Sequence, residues 1–115
     1  LEELAELPWV TRERGSGTRA VLERTLAEYG LEPYSVVSMA STEAIKRAVI
    51  AGAGIAVVSA LTVETELDRG ELVQLCARPF PVRRPLHLLR PRHRQASRAT
   101  TAFLEVLELF AARRA

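Results

Sequence analysis

The chain has 115 residues, 48% of them apolar and 26% charged, with a formal net charge of +2. That length holds one domain or part of one, and buries about 65% of the surface of its unfolded chain, enough for a core. The small net charge gives no electrostatic case for a nucleic-acid surface, and the single cysteine, Cys76, excludes an internal disulfide and a cysteine metal cluster. No uncharged run reaches the ~20 residues of a membrane-spanning helix.

Leu1–Leu7 carries too little pattern to assign, and Glu2, Glu3 and Glu6 put acid where a secretory signal needs a basic segment. With no initiator Met, the chain reads as an excised or processed piece. Pro8-Trp9-Val10-Thr11 reads as a short strand, with Pro8 at its first position, where a missing N–H is tolerated. Gly15-Ser16-Gly17-Thr18 is a turn onto a helix over 18–29, striped by Val21, Leu22, Leu26 and Tyr29. Arg19–Glu23 and Arg24–Glu28 are i,i+4 pairs on its exposed faces. Gly30 stops this helix and Pro33 blocks its return. Tyr34–Met39 is a second strand.

The stretch from Ser41 to Ser59 combines cap, amphipathic helix, glycine stop and buried strand. Ser41 or Thr42 caps the helix, Ile45, Ala48, Val49 and Gly52 share one face, and Lys46 and Arg47 take the other. Gly52 and Gly54 end it, and Ile55–Val58 follows as an apolar, β-branched run suited to a strand buried on both faces. A helix feeding directly into such a strand implies a parallel α/β sheet. Thr62–Arg69 is a short helix stopped by Gly70, and Leu72–Ala77 is a strand. Pro79, Pro81 and Pro85 make Arg78–Arg84 an extended linker. Leu86–Arg90 is a further strand, and Ser97 caps a last helix striped by Phe103, Val106, Leu107 and Phe110.

S-T-E-A-I-K-R-A-V followed by A-G-A-G-I-A-V-V-S resembles the effector-binding domain of LysR-type transcriptional regulators. W-V-T-R-E-R-G-S-G-T-R at Trp9–Arg19, E-L-D-R-G-E-L-V at Glu66–Val73 and R-P-L-H-L-L at Arg84–Leu89 extend the resemblance over nearly the whole chain, in the family's order. The resemblance implies an α/β, periplasmic-binding-protein-like (type 2) lobe with a mainly parallel sheet flanked by helices. Residues 1–77 then form the second lobe, 78–85 a crossing linker, and 86–115 the closing strand and helix of the first lobe. It also implies that half of the first lobe and the DNA-binding helix-turn-helix lie outside this chain. The implied activity is cytoplasmic ligand sensing: a small, anionic or organic-acid effector bridges the lobes of a homo-oligomeric regulator, and DNA is contacted only through the N-terminal domain. An extracytoplasmic solute-binding protein shares this fold, as does an enzyme such as a dehydratase.

Gly15-Ser16-Gly17-Thr18 lies where a helix begins, so its amides and the helix dipole favour an anion. Ser16, Gly17 and Thr18 are therefore candidate ligand contacts, although an ordinary capped turn explains them equally. Ser41 and Thr42 pose the same choice at the second helix start. Ser59 satisfies the turn that follows it. Arg12 and Glu13 line the first turn or form a solvated pair, and Trp9 is packing or hinge surface. Cys76 has no neighbour to depress its pKa and reads as an inert, half-buried thiol. His87 and His93 are too isolated for a metal pair, and His87 fits a strand face. Arg83, Arg84, Arg90, Arg92, Arg94 and Arg98 form a basic run whose only interleaved aromatic neighbour is Phe80, which suits solvated surface better than a phosphate-contacting face. No Ser-His-Asp order, paired carboxylates near a His, Walker loop or dinucleotide fingerprint is present, so no catalytic residue, metal or cofactor is expected.

Overall fold

A computed structural model describes residues 2–90, 92–93 and 95–112; Leu1 and Arg94 lie outside the described residues. The chain divides into two units, Leu1–Arg84 and Pro85–Ala115.

The first unit is built on three parallel strands, β1 (Pro8–Arg12), β2 (Ser35–Met39) and β3 (Ile55–Ala56), in the order β2-β1-β3. Helix α1 (Glu2–Ala5) precedes β1, and α2 (Gly17–Glu28) connects β1 to β2. Helix α3 (Thr42–Ile50) crosses back over β1 to reach β3. A 3-10 turn (Ala60–Thr62) and α4 (Glu64–Asp68) follow, where the sequence suggests one helix over 62–69. The two crossovers run in opposite directions across the sheet, so their right-handedness places α2 and α3 on opposite faces. That explains why Trp9, Val10 and Thr11 are all buried in succession. A strand covered on one face alone would alternate.

Trp9 is the centre of the core. It packs with Leu22 and Leu26 of α2, and Leu4, Leu31, Ile55, Val57 and Phe80 close around them. Its indole Nε1–H donates to the Leu4 carbonyl at 2.8 Å, so the buried ring leaves no donor unpaired. On α3, Ile45 is 1% exposed. Helices α2, α3 and α4 end alike: a glycine (30, 52 or 70) with positive φ donates three residues back, and the next residue donates five back. This is the paired hydrogen bonding that satisfies the last helical carbonyls. Gly54 has a different reason to be glycine, since a Cβ there would collide with the Pro8 carbonyl, and this close approach seats β3 beside β1.

The strand expectations that fail do so for one reason. The apolar run 55–58 forms only the two-residue β3, half-buried, because β1 pairs it on one side and no described strand pairs it on the other. Leu72–Ala77 and Leu86–Arg90 do not form strands, so His87 has no strand face to occupy. An extended segment becomes a strand only where a neighbour takes its N–H and C=O groups. Cys76 is exposed rather than half-buried. Lys46 is buried, because partners distant in sequence come to meet it. Arg19 pairs with Glu23 at 2.7 Å, whereas Arg24 and Glu28 form no ion pair.

The second unit contains α5 (Arg98–Ala112), whose start is capped by Ser97 Oγ accepting from the Thr100 N–H at 3.1 Å. Along its apolar stripe Phe103 is 61% exposed and Val106 64%.

Candidate functional site

The carboxyl ends of β1 and β2 lie side by side, with Arg12 opposite Met39 in the register. Helix α2 starts shortly after β1, and α3 shortly after β2. Both helix N-termini thus stand at the carboxyl edge of the sheet, where open α/β sheets bind ligands. The helix bodies occupy opposite faces, but their starts share this edge.

The end of β1 is fixed firmly. The Arg12 carbonyl accepts from Arg19 Nη1 at 3.1 Å, Ser38 Oγ at 3.2 Å and Thr11 Oγ1 at 3.2 Å. The Glu13 N–H continues the ladder by donating to the Met39 carbonyl at 3.1 Å. The backbone being held, the Arg12 side chain spans the gap between the two loops. Its Nη1 donates to Thr42 Oγ1 at 3.3 Å, 30 residues away. Its Nε and Nη2 donate to the two Glu13 oxygens at 2.8 and 2.9 Å. These hydrogen bonds, reinforced by charge, hold the Arg12 guanidinium above its ordinary value and the Glu13 carboxylate below its own.

The five candidate ligand residues are distributed over the two helix starts. Ser16 and Thr18 are half-buried and Gly17 is exposed. Ser16 is the N-cap residue of α2 by position, but its hydroxyl makes no capping bond, and among the described residues the hydroxyls of Ser16 and Thr18 have no partner. Ser41 does cap α3: its Oγ accepts from the Ala44 N–H at 3.1 Å. Thr42 Oγ1 accepts from Arg12. A hydroxyl that accepts in this way still has its own O–H to donate. Four hydroxyl donors and the amides of two helix first turns are therefore available at the carboxyl edge of the sheet, a set suited to an oxyanion.

Two participants escaped the sequence reading. Arg84 looked like surface charge, yet its Nη1 lies 3.4 Å from where a Cβ on Gly17 would be. A guanidinium therefore stands at the positive end of α2. The second is Lys46, whose ammonium contacts Glu43 and Glu66 at 2.7 Å each and the Thr62 carbonyl at 3.1 Å. Three acceptors match its three protons. Hydrogen bonds to Glu43, then Glu66, raise the Lys46 pKa, and Lys46 in turn lowers that of Glu66. This ties α3, and so its N-terminus, to the turn after β3 and to α4. Both residues belong to contacts distant in sequence, which no local pattern announces.

A concavity of about 420 Å³ is lined by Ile45, Val49, Ile55, Val57 and Phe80 among others, and it reaches Thr18, Lys46 and Arg84 of the arrangement just described. Its wall is mostly apolar, with Thr18, Lys46 and Arg84 as its polar members beside Ser59 and Gln74. Among the described residues no helix is long and apolar enough to cross a membrane, and no cluster of His, Cys, Asp or Glu could hold a metal ion.

Residues 1–111 match the LysR substrate binding domain. Over 113 residues the chain is 42% identical to the RuBisCO operon transcriptional regulator of Allochromatium vinosum, covering 98% of this chain and 37% of that protein. It is 38% identical over 104 residues to the regulator of the same name from Acidithiobacillus ferrooxidans, covering 90% of this chain and 34% of that one. It is 37% identical over 86 residues to the HTH-type transcriptional regulator CysL of Bacillus subtilis, covering 75% and 29%. The chain thus spans about a third of the length of these curated relatives, which are transcriptional regulators and not enzymes.

Proposed function

Because the chain belongs to the LysR substrate binding domain family, we propose that it is the ligand-sensing part of a cytoplasmic, homo-oligomeric bacterial transcriptional regulator whose effector is a small oxyanion or organic acid. The observation that carries this reading is the edge where α2 and α3 begin, with hydroxyls left to donate and Arg12 reaching across to Thr42. Ser16, Gly17 and Thr18 take one side of the anion, and Ser41 and Thr42 the other. DNA is contacted through a domain beyond this chain. An effector that prefers one arrangement of the lobes shifts their populations by its differential affinity, and the grip on DNA follows. The names of the relatives favour a regulator over the solute-binding protein of the same fold.

The test is Thr18→Ala and Ser41→Ala in the full-length regulator. A hydrogen bond to a charged acceptor is worth about 1.5–3 kcal/mol, so each change should weaken effector response roughly tenfold to a hundredfold. Thr18→Ala should do so with an unchanged melting temperature. Variants that respond at wild-type effector concentration would place the site elsewhere.

A further inference from the structure

The Arg12 fork is already filled. Each edge of a guanidinium can receive a carboxylate through two parallel hydrogen bonds, and on Arg12 the Nη1 end of one edge is already used on Thr42, which leaves the Nε/Nη2 edge as the fork. Here the Glu13 carboxylate takes that edge, at 2.8 and 2.9 Å. Arg12 is held better than Glu13: three donors fix its carbonyl, and Nη1 keeps a second hydrogen bond on Thr42 at 3.3 Å when Glu13 leaves. Glu13 is pinned only at its backbone, where its N–H donates to Met39 and its carbonyl accepts from the Ser16 N–H at 3.2 Å. Its side chain is 43% exposed, against 25% for Arg12, so the carboxylate can turn outward into water with no change to the strand.

We propose that Glu13 is a built-in competitor: its carboxylate occupies the Arg12 fork in the absence of ligand, and an incoming carboxylate, sulfate or phosphate group binds by displacing it. This rests on the anion-binding reading above. It adds Arg12 as a specificity-determining contact and assigns Glu13 a threshold role. Two coplanar oxygens are needed to replace the two hydrogen bonds, so halides and neutral molecules are rejected. An exposed ion pair is weak, and the competition it imposes is correspondingly modest, about threefold.

The experiment titrates the full-length regulator with sulfate, phosphate and succinate, following the ¹⁵N–¹H signal of Arg12 Nε and the binding isotherm. Glu13→Gln is nearly isosteric and lies at the surface, so folding is preserved, which circular dichroism checks. It should bind the best of the three anions about threefold more tightly than wild type, and Arg12→Gln about tenfold more weakly. The Arg12 Nε signal of wild type should move with anion and not with chloride at equal ionic strength. If Glu13→Gln binds no tighter, the competitor is overturned. If neither variant alters affinity while Thr18→Ala weakens it, the proposal fails and the anion site stands. If none of the three anions binds wild type or Glu13→Gln, both fall together.

Discussion

Helices α3 and α5 begin in the same way and end up in opposite surroundings. Each is capped by a serine hydroxyl that accepts an N–H three residues on, at 3.1 Å in both. Each carries an apolar stripe. Yet the nine-residue α3 buries Ile45 and even Lys46, whereas the fifteen-residue α5 buries nothing among its described residues. Cap and periodicity decide that a helix forms and which side is apolar. Whether that side leaves water depends on surfaces supplied by other segments. For α3 these are the sheet and α4, both inside the same unit.

The sharpest way to break this contrast is at the stripes themselves. Ile45→Ala should cost about 2–5 kcal/mol, as a buried aliphatic truncation does, and lower the urea midpoint accordingly. Phe103→Ala should leave that midpoint where it was. An equal loss in the two variants would mean that α5 is buried in solution. A smaller effect comes from the caps. Ser41→Ala removes a bond from a helix packed on the sheet and should lower global stability by about 1 kcal/mol. Ser97→Ala should reduce helicity by circular dichroism without moving the cooperative transition.

The smallest effect is electrostatic. Glu66 has its pKa depressed in the fold by Lys46, so its stabilisation is present above the ordinary carboxylate value of 4.5 and is lost as pH falls through the folded value. Lys46, raised above 10.5, loses its contribution only as alkali takes it through its own folded value. Thermal midpoints measured between pH 6 and 3 should fall less steeply in Glu66→Gln than in wild type. Parallel curves would show that the pair does not fasten α3 to α4.

The same contrast explains what could be read from the residues. Glycines 30, 52 and 70 announced helix ends because the paired hydrogen bonds that stop a helix are local. The order strand, turn, helix, strand was legible for the same reason, as was the Ser41 cap. The strand readings at 72–77 and 86–90 failed because pairing needs a second segment. The burial of Lys46, on the helix face opposite Ile45, could not be read because its partners Thr62 and Glu66 lie 16 and 20 residues further on. For the candidate site, the hydroxyls could be named from two turn sequences, but the Arg12 bridge to Thr42 could not. One signal was available: an arginine at the end of a strand directly before a Gly-Ser-Gly turn stands where the sheet's ligands gather.

Gly54 has a consequence for how this sequence can drift over generations. At residues 30, 52 and 70 a side chain would meet open space, and only the backbone angle resists it, so Asn is a workable spelling there. At residue 54 the obstacle is the Pro8 carbonyl itself. Position 54 is therefore a one-letter position, and its tolerance depends on residue 8, distant in the chain but adjacent in space.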